Sequence, residues 1–97
     1  MVEIRQTEEF RRWLTELRDP VARAKVLVRI NRLSVDGHFG DVKPVGRGVL
    51  EMRIPHGPGY RVYLITMEER LVILLAGGTK STQARDIERA IDRAKKL

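Results

Sequence analysis

Residues 49–66, "VLEMRIPHGPGYRVYLIT", decide how this chain folds. Two runs of alternating apolar and polar residues flank a stretch of glycine and proline, the pattern of a β-hairpin. A reversal centred on Gly57 sets Leu50 opposite Leu64, Met52 opposite Val62 and Ile54 opposite Tyr60, which makes one apolar face. The other face pairs Glu51 with Tyr63 and Arg53 with Arg61. A slip of one residue would mix the two faces, so the register is well specified. The arginine pair is the anomaly, because like charges directly opposite each other destabilise a sheet. Two adjacent guanidinium groups fit an anion held between them, since each matches phosphate oxygens bidentately and stays charged at any relevant pH. The alternative is that Glu51 neutralises both arginines and the patch is solvated sheet surface.

Outward from the hairpin, "LVILLA" (71–76) is apolar at every position and reads as the central strand, covered on both faces. "VEIRQ" (2–6) reads as a short first strand. Thr7 then caps a helix whose apolar residues Phe10, Trp13, Leu14 and Leu17 fall at helical spacing. Pro20 opens a second helix reaching about Val35, with a stripe of Val21, Ala24, Leu27, Ile30 and Leu33. So short a link between the two implies a helical hairpin. "DGHFGDVKPVGRG" (36–48) is glycine-rich and lacks any period, so it reads as a long loop. "GGTKST" leads into a last helix with Ala84, Ile87, Ile91 and Ala94 on one face. The expected fold is α+β in the order β-α-α-β-β-β-α: an antiparallel sheet with an N-terminal helical hairpin and a C-terminal helix, one domain over residues 1–97.

Charge points to the partner. Nineteen Lys and Arg stand against thirteen Asp and Glu in 97 residues, a formal net charge of +6. That balance favours an anionic partner, nucleic acid first. Lys43 and Arg47 of the 36–48 loop are expected at the same edge of the sheet as the arginine pair, and Lys80 follows the third hairpin strand. This neighbourhood favours a basic cleft over a solvated patch. Lys25, Arg29 and Arg32 share a face of the second helix, and Arg85, Arg89 and Arg93 share one of the last. Such stripes are either solvated faces or the flanks of an anionic contact.

The sequence excludes several chemistries. With no cysteine there are no disulfides, thiol nucleophiles or thiolate metal sites, in keeping with a reducing cytoplasm. His38 and His56 are isolated, so no metal site is expected, and no cofactor is implied. Ser81 and Thr82 read as helix caps, and "GGTKS" lacks the spacing of a phosphate loop. The start has no apolar signal region, and the longest apolar run, Leu71 to Ala76, is far too short to span a bilayer. Membrane association is not expected.

Three stretches, "GDVKPVGRGVLEMRI", "GPGYRVYLI" and "LLAGGTKSTQARDIERA", resemble the toxins of the RelE/ParE superfamily. The resemblance spans nearly the whole chain, and the HigB-like, phage-related addiction-module killer proteins are the nearest group. It implies a type II toxin, a ribosome-dependent mRNA endoribonuclease in many members and a non-cutting inhibitor of DNA gyrase in others. It also implies a cognate antitoxin, commonly a small helix-turn-helix protein from the adjacent gene. By resemblance Arg61 contacts the scissile phosphate, Arg53 assists from the preceding strand, and Lys80 stands near a further phosphate-binding position. Glu51 occupies a position where the family's best-studied nuclease has a lysine, which makes it a candidate general base and puts the activity in question. Lys43, Arg47, Tyr63, Arg85 and Arg89 complete the candidate nucleic-acid contacts. Besides a gyrase-type inhibitor, the alternative is a degenerate toxin that acts with its antitoxin in operon repression.

Overall fold

The computed structural model describes residues 1–97. In chain order it contains β1 (Glu3–Gln6), α1 (Glu8–Glu16), α2 (Pro20–Asp36), β2 (Val42–Gly46), β3 (Val49–Ile54), β4 (Tyr60–Met67), β5 (Leu71–Thr79), a 3₁₀ turn (Lys80–Thr82) and α3 (Gln83–Lys95). The five strands form one sheet in the order β1-β5-β4-β3-β2. All neighbours are antiparallel except β1 and β5, which run parallel. The β3–β4 register is the expected one, with Met52 opposite Val62 and Arg53 opposite Arg61. No helix is long and apolar enough to cross a membrane.

The sheet is covered on both faces. On one side α1 and α2 bury Phe10, Leu17, Ala22, Val26 and Leu33 against Met52, Ile54, Val62, Leu64, Val72 and Leu74. On the other, Ala90 of α3, with Ile87 and Ile91 packed beside it, covers Val49, Tyr63, Ile73, Leu75 and Ala76. A bulge keeps β5 serving both layers. Tyr63 pairs with Ala76 but Leu64 pairs with Leu74, leaving Leu75 as the extra residue. Beyond it the alternation changes phase, so Gly77 faces the Trp13 ring of α1 while Gly78 faces the Asp86 carboxylate of α3. A Cβ at either glycine would collide with those groups, so the pair lets two helices press close from opposite sides.

Side chains set the helix boundaries. The Thr7 hydroxyl accepts from Phe10 N at 3.2 Å and donates to the Leu74 and Leu75 carbonyls, tying the start of α1 to β5. Asp19 accepts from Val21 N and Ala22 N at the start of α2, with Pro20 at the first helical position. Arg23 donates to the carbonyls of Leu14, Thr15 and Leu17 at the C-terminal end of α1.

Four expectations need correction. Residues 42–46 are a strand, not loop: β2 pairs with β3 as an edge strand, the one place where Pro44 costs no central ladder bond. The 71–76 run lies in an inner strand covered on both faces, but β4 is the middle one. The buried stripe of α2 is Ala22, Val26 and Leu33, whereas Val21 and Leu27 are 52% and 46% exposed. Finally, α3 buries Asp86 and Ala90, while Ala84 faces solvent.

Candidate nucleic-acid interface

Two rungs of the β3–β4 ladder carry the polar residues of the α3 face. The first runs Lys43–Glu51–Tyr63–Ala76 across four strands, and the second runs Arg53–Arg61–Gly78. α3 crosses directly over the first rung. Glu51 and Tyr63 are both 0% exposed, and Glu51 Oε2 accepts from the Tyr63 hydroxyl at 3.0 Å and from Gln83 Nε2 at 2.7 Å. Burial first, then the hydrogen bond to Glu51, raises the Tyr63 phenol well above its ordinary value. Neither side chain reaches the surface. The expectation that Tyr63 contacts nucleic acid, and that Glu51 stands ready as a general base, does not fit this placement.

In the second rung Asp86 of α3 covers the Gly78 end, while the Arg53 end lies open. The two arginines do not simply repel, because each has its own carboxylate. Arg53, whose side chain is 40% exposed, donates to Asp41 Oδ1 from Nη2 at 2.7 Å and from Nε at 3.1 Å. That hydrogen bond, followed by the Asp41 charge, raises the Arg53 pKa further. Arg61 sits 3.4 Å from Glu51 Oε2 through Nε, close enough to pair electrostatically but not aligned for a hydrogen bond. Its Nη1 donates to the Gly59 carbonyl at 2.9 Å, and its side chain is 11% exposed. Gly59 has φ +79°, and a Cβ there would stand 3.3 Å from Arg61 Nη1 and 3.5 Å from Lys80 Cβ. The turn glycine thus lies against both Arg61 and the base of the Lys80 side chain, in a left-handed conformation that suits glycine.

The result is a shallow cleft of about 270 Å³ lined by Asp41, Arg53, Ile54, Pro55, Gly59, Tyr60 and Arg61, with Lys80 beside it. Lys80 and Lys43 are exposed, and neither has a carboxylate within ion-pair distance. The cleft offers two guanidinium groups to an anion, with the Lys80 ammonium close by, a donor set suited to a phosphate. No three His, Asp or Glu side chains converge as ligands for one ion.

Other candidates lie elsewhere. Arg47 is in the β2–β3 turn at φ +56°, beside Ile65, Ile91 and Lys95. It lies in the turn before β3, and Arg53 is four residues along that strand from Val49, about 13 Å, so Arg47 does not line the cleft. Arg85 is exposed on α3, whereas Arg89 and Arg93 both pair with Glu9 of α1, at 3.4 and 2.8 Å. Arg29 is a structural clamp rather than part of a basic stripe. It donates to the carbonyls of Arg53, Phe39 and Asp41, and its burial lowers its pKa. His56 is not isolated either: Nε2 lies 3.0 Å from Asp19 Oδ2, and that contact lowers the Asp19 pKa. Sequence reasoning missed Asp41 and Gln83. Asp41 escaped because 36–48 read as a loop; once β2 pairs with β3, extending the Lys43–Glu51 pairing by two residues places it opposite Arg53.

The sequence profile of the family described as "Phage derived protein Gp49-like (DUF891)" matches residues 12–97. This chain belongs to the Gp49-like family. An uncharacterized protein of Haemophilus influenzae is 49% identical over 89 residues, covering 92% of this chain and 89% of that protein. Among solved structures, the Gp49-like chain resembles one in the intact E. coli RelBE toxin–antitoxin complex, with TM-score 0.68, 14% identity, and coverage of 81% of this chain and 96% of the other. A double mutant of E. coli toxin RelE in the free state gives TM-score 0.67 and 13% identity, covering 91% and 96%. A conserved hypothetical protein of Helicobacter pylori gives TM-score 0.56 and 20% identity, covering 84% and 97%. The Gp49-like chain therefore has the RelE fold.

Proposed function

We propose that this Gp49-like protein is the toxin of a type II toxin–antitoxin module, of the HigB-like kind, and a ribosome-dependent mRNA endoribonuclease. The observation that carries the reading is the pairing of Arg53 with Arg61 in one cleft of a RelE-type sheet, with Lys80 beside its Gly59 wall. In the proposed reaction the ribose 2′-hydroxyl gives its proton to water as its oxygen attacks the adjacent phosphorus, and the bond from phosphorus to the 5′-oxygen breaks. The 5′-oxygen takes up a proton, leaving a 2′,3′-cyclic phosphate and a 5′-hydroxyl. Arg61 and Arg53 stabilise the charge that builds on the phosphorane, an effect worth about 10²–10³ in rate per donor. Lys80 and Lys43 hold the backbone on either side.

No side chain of the cleft is placed as a strong general base, because the Glu51 carboxylate is covered and already hydrogen-bonded. The ribosome supplies what the chain lacks by holding mRNA for in-line attack, a contribution of about 7–11 kcal/mol when geometry is ideal. The reading places the protein in the cytoplasm, with mRNA on the ribosome as substrate and a small antitoxin from the adjacent gene as partner. The same covered Glu51 favours a second reading, a toxin of this fold that binds its target without cutting, such as a gyrase inhibitor. Induction in a bacterial host followed by mapping of mRNA 5′ ends decides between them. New 5′-hydroxyl ends within translated codons support the nuclease. Growth arrest with intact mRNA supports the binder.

A further inference from the structure

Asp41 is the one residue lining the phosphate cleft whose charge opposes the proposed ligand. It is held there firmly. The Arg53 N–H donates to the Asp41 carbonyl at 2.8 Å, and Arg29 of α2 donates to the Phe39 and Asp41 carbonyls at 2.8 and 3.4 Å. Gly40 between them is left-handed, with φ +72°, and a Cβ there would stand 2.7 Å from Arg29 Nη2, so glycine lets the segment close on its clamp. Both bonds from the Arg53 side chain fall on Asp41 Oδ1. Oδ2 accepts nothing from the chain, and the carboxylate is half exposed.

Stability does not account for a carboxylate in this place. An exposed ion pair adds little, whereas a fixed negative charge beside an anion weakens its binding. With Asp41 against Arg53 and Glu51 against Arg61, each guanidinium meets the cleft already paired, and Lys80 beside the Gly59 wall is left unmatched. Arg29 stands behind the segment with its donors on backbone carbonyls and does not line the cleft. Such a balance suits a ligand of one negative charge. We infer that the cleft selects a singly charged internal phosphodiester over a phosphate monoester, which carries nearly two charges near neutral pH, and that Asp41 sets the choice. A diester gives its two charged oxygens to the arginines and leaves an esterified oxygen toward Oδ2. A monoester has a third charged oxygen, left facing the unpartnered Oδ2. The inference rests on the phosphate reading of the cleft proposed above, and it favours the interior of an RNA over a phosphorylated end.

The test titrates the purified full chain with two uncleavable probes at about pH 8, a 2′-deoxynucleoside 3′-phosphate and its methyl ester, which carry about two charges and one. Binding is read from the Nε–H magnetic resonances of Arg53 and Arg61. The wild type should bind the methyl ester at least as tightly as the monoester. Asp41→Asn keeps an acceptor for Arg53 and removes only the charge. This variant should bind the monoester about tenfold more tightly than the wild type does and the methyl ester within about threefold, with an unchanged melting temperature. On programmed ribosomes, added monoester should inhibit cleavage by the variant at concentrations that leave the wild type unaffected. A wild type that prefers the monoester, or a variant that gains or loses affinity for both probes alike, would overturn the selectivity and leave the nuclease reading, judged by new mRNA ends, untouched. Neither probe shifting either arginine would overturn the phosphate cleft and this inference together.

Discussion

The Glu51–Tyr63 and Arg53–Arg61 rungs are next neighbours on one face of one hairpin, two residues apart along each strand, yet they differ in almost every physical respect. The first is sealed beneath α3, and its carboxylate is spent on a phenol and an amide. The second stands at the mouth of a cleft, where Arg53 is held by an exposed aspartate. What separates them is the point at which α3 begins. Gln83, its first residue, lands on Glu51, whereas in the second rung α3 covers only the Gly78 end, through Asp86, and leaves Arg53 uncovered. In this sheet a polar residue's fate depends on where a helix arrives, not on the strand pattern that placed it. Arg61 belongs to both rungs, since it reaches back to Glu51 while facing the cleft.

That double membership gives the largest expected effect. Arg61→Ala should abolish growth arrest and cut mRNA cleavage about 10²–10³-fold. It should also destabilise by about 3 kcal/mol, because the Glu51 carboxylate stays buried without its cation. The hairpin register alone, which sets Arg61 on the polar face, would make Arg61→Ala structurally silent; the burial of Glu51 beside it makes the change costly. Combining it with Glu51→Gln should restore much of the stability and none of the activity, which thermal melts and cleavage assays on the same samples would show. Full recovery of both would merge the two rungs into one structural unit.

Gly78→Ala comes next. Its added methyl group would meet the Asp86 carboxylate and lift α3 from the sheet, an overpacking cost of about 1–3 kcal/mol. If the two rungs differ because of where α3 sits, amide exchange should quicken around Glu51 and Tyr63 and change little at Arg53. Uniform loosening of both would break the comparison.

Tyr63→Phe is the mildest change. It should cost about 1 kcal/mol through the lost hydrogen bond to Glu51. It should also alter the alkaline limb of stability. The folded pKa of Tyr63 is raised, so its contribution is complete below the unfolded value of 10.0 and is lost as pH rises above that value. Denaturation between pH 9 and 11 should show a fall in the wild type that the variant lacks.

Much of this was legible in the sequence, for identifiable reasons. The β3–β4 register could be read because Leu50, Met52, Ile54, Val62 and Leu64 alternate without exception. β2 could not, because Pro44 and Gly46 hide a strand that tolerates them only at a sheet edge. The α2 stripe was misassigned because that helix is apolar on nearly every side, so periodicity left Val21 and Ala22 almost equally eligible for burial. Arg53 and Arg61 were set side by side by the hairpin register, and they line one cleft, with Lys80 next to its Gly59 wall. The burial of Glu51 and Tyr63 lay outside the reach of strand pattern, since it depends on Gln83 and Gly78 bringing a distant helix down on them.

The central claim is that the open rung carries the chemistry and the covered rung carries the structure. Arg53→Ala and Tyr63→Phe, compared side by side for ribosome-dependent mRNA cleavage and for thermal stability, test it most directly. The account predicts a clean crossing. Arg53→Ala should lose cleavage about 10²-fold with an unchanged melting temperature, and Tyr63→Phe should keep cleavage while melting several degrees lower, roughly 4–8 °C. An Arg53→Ala protein that cleaves like the wild type, beside a Tyr63→Phe protein that melts normally but has lost its cleavage, would contradict it.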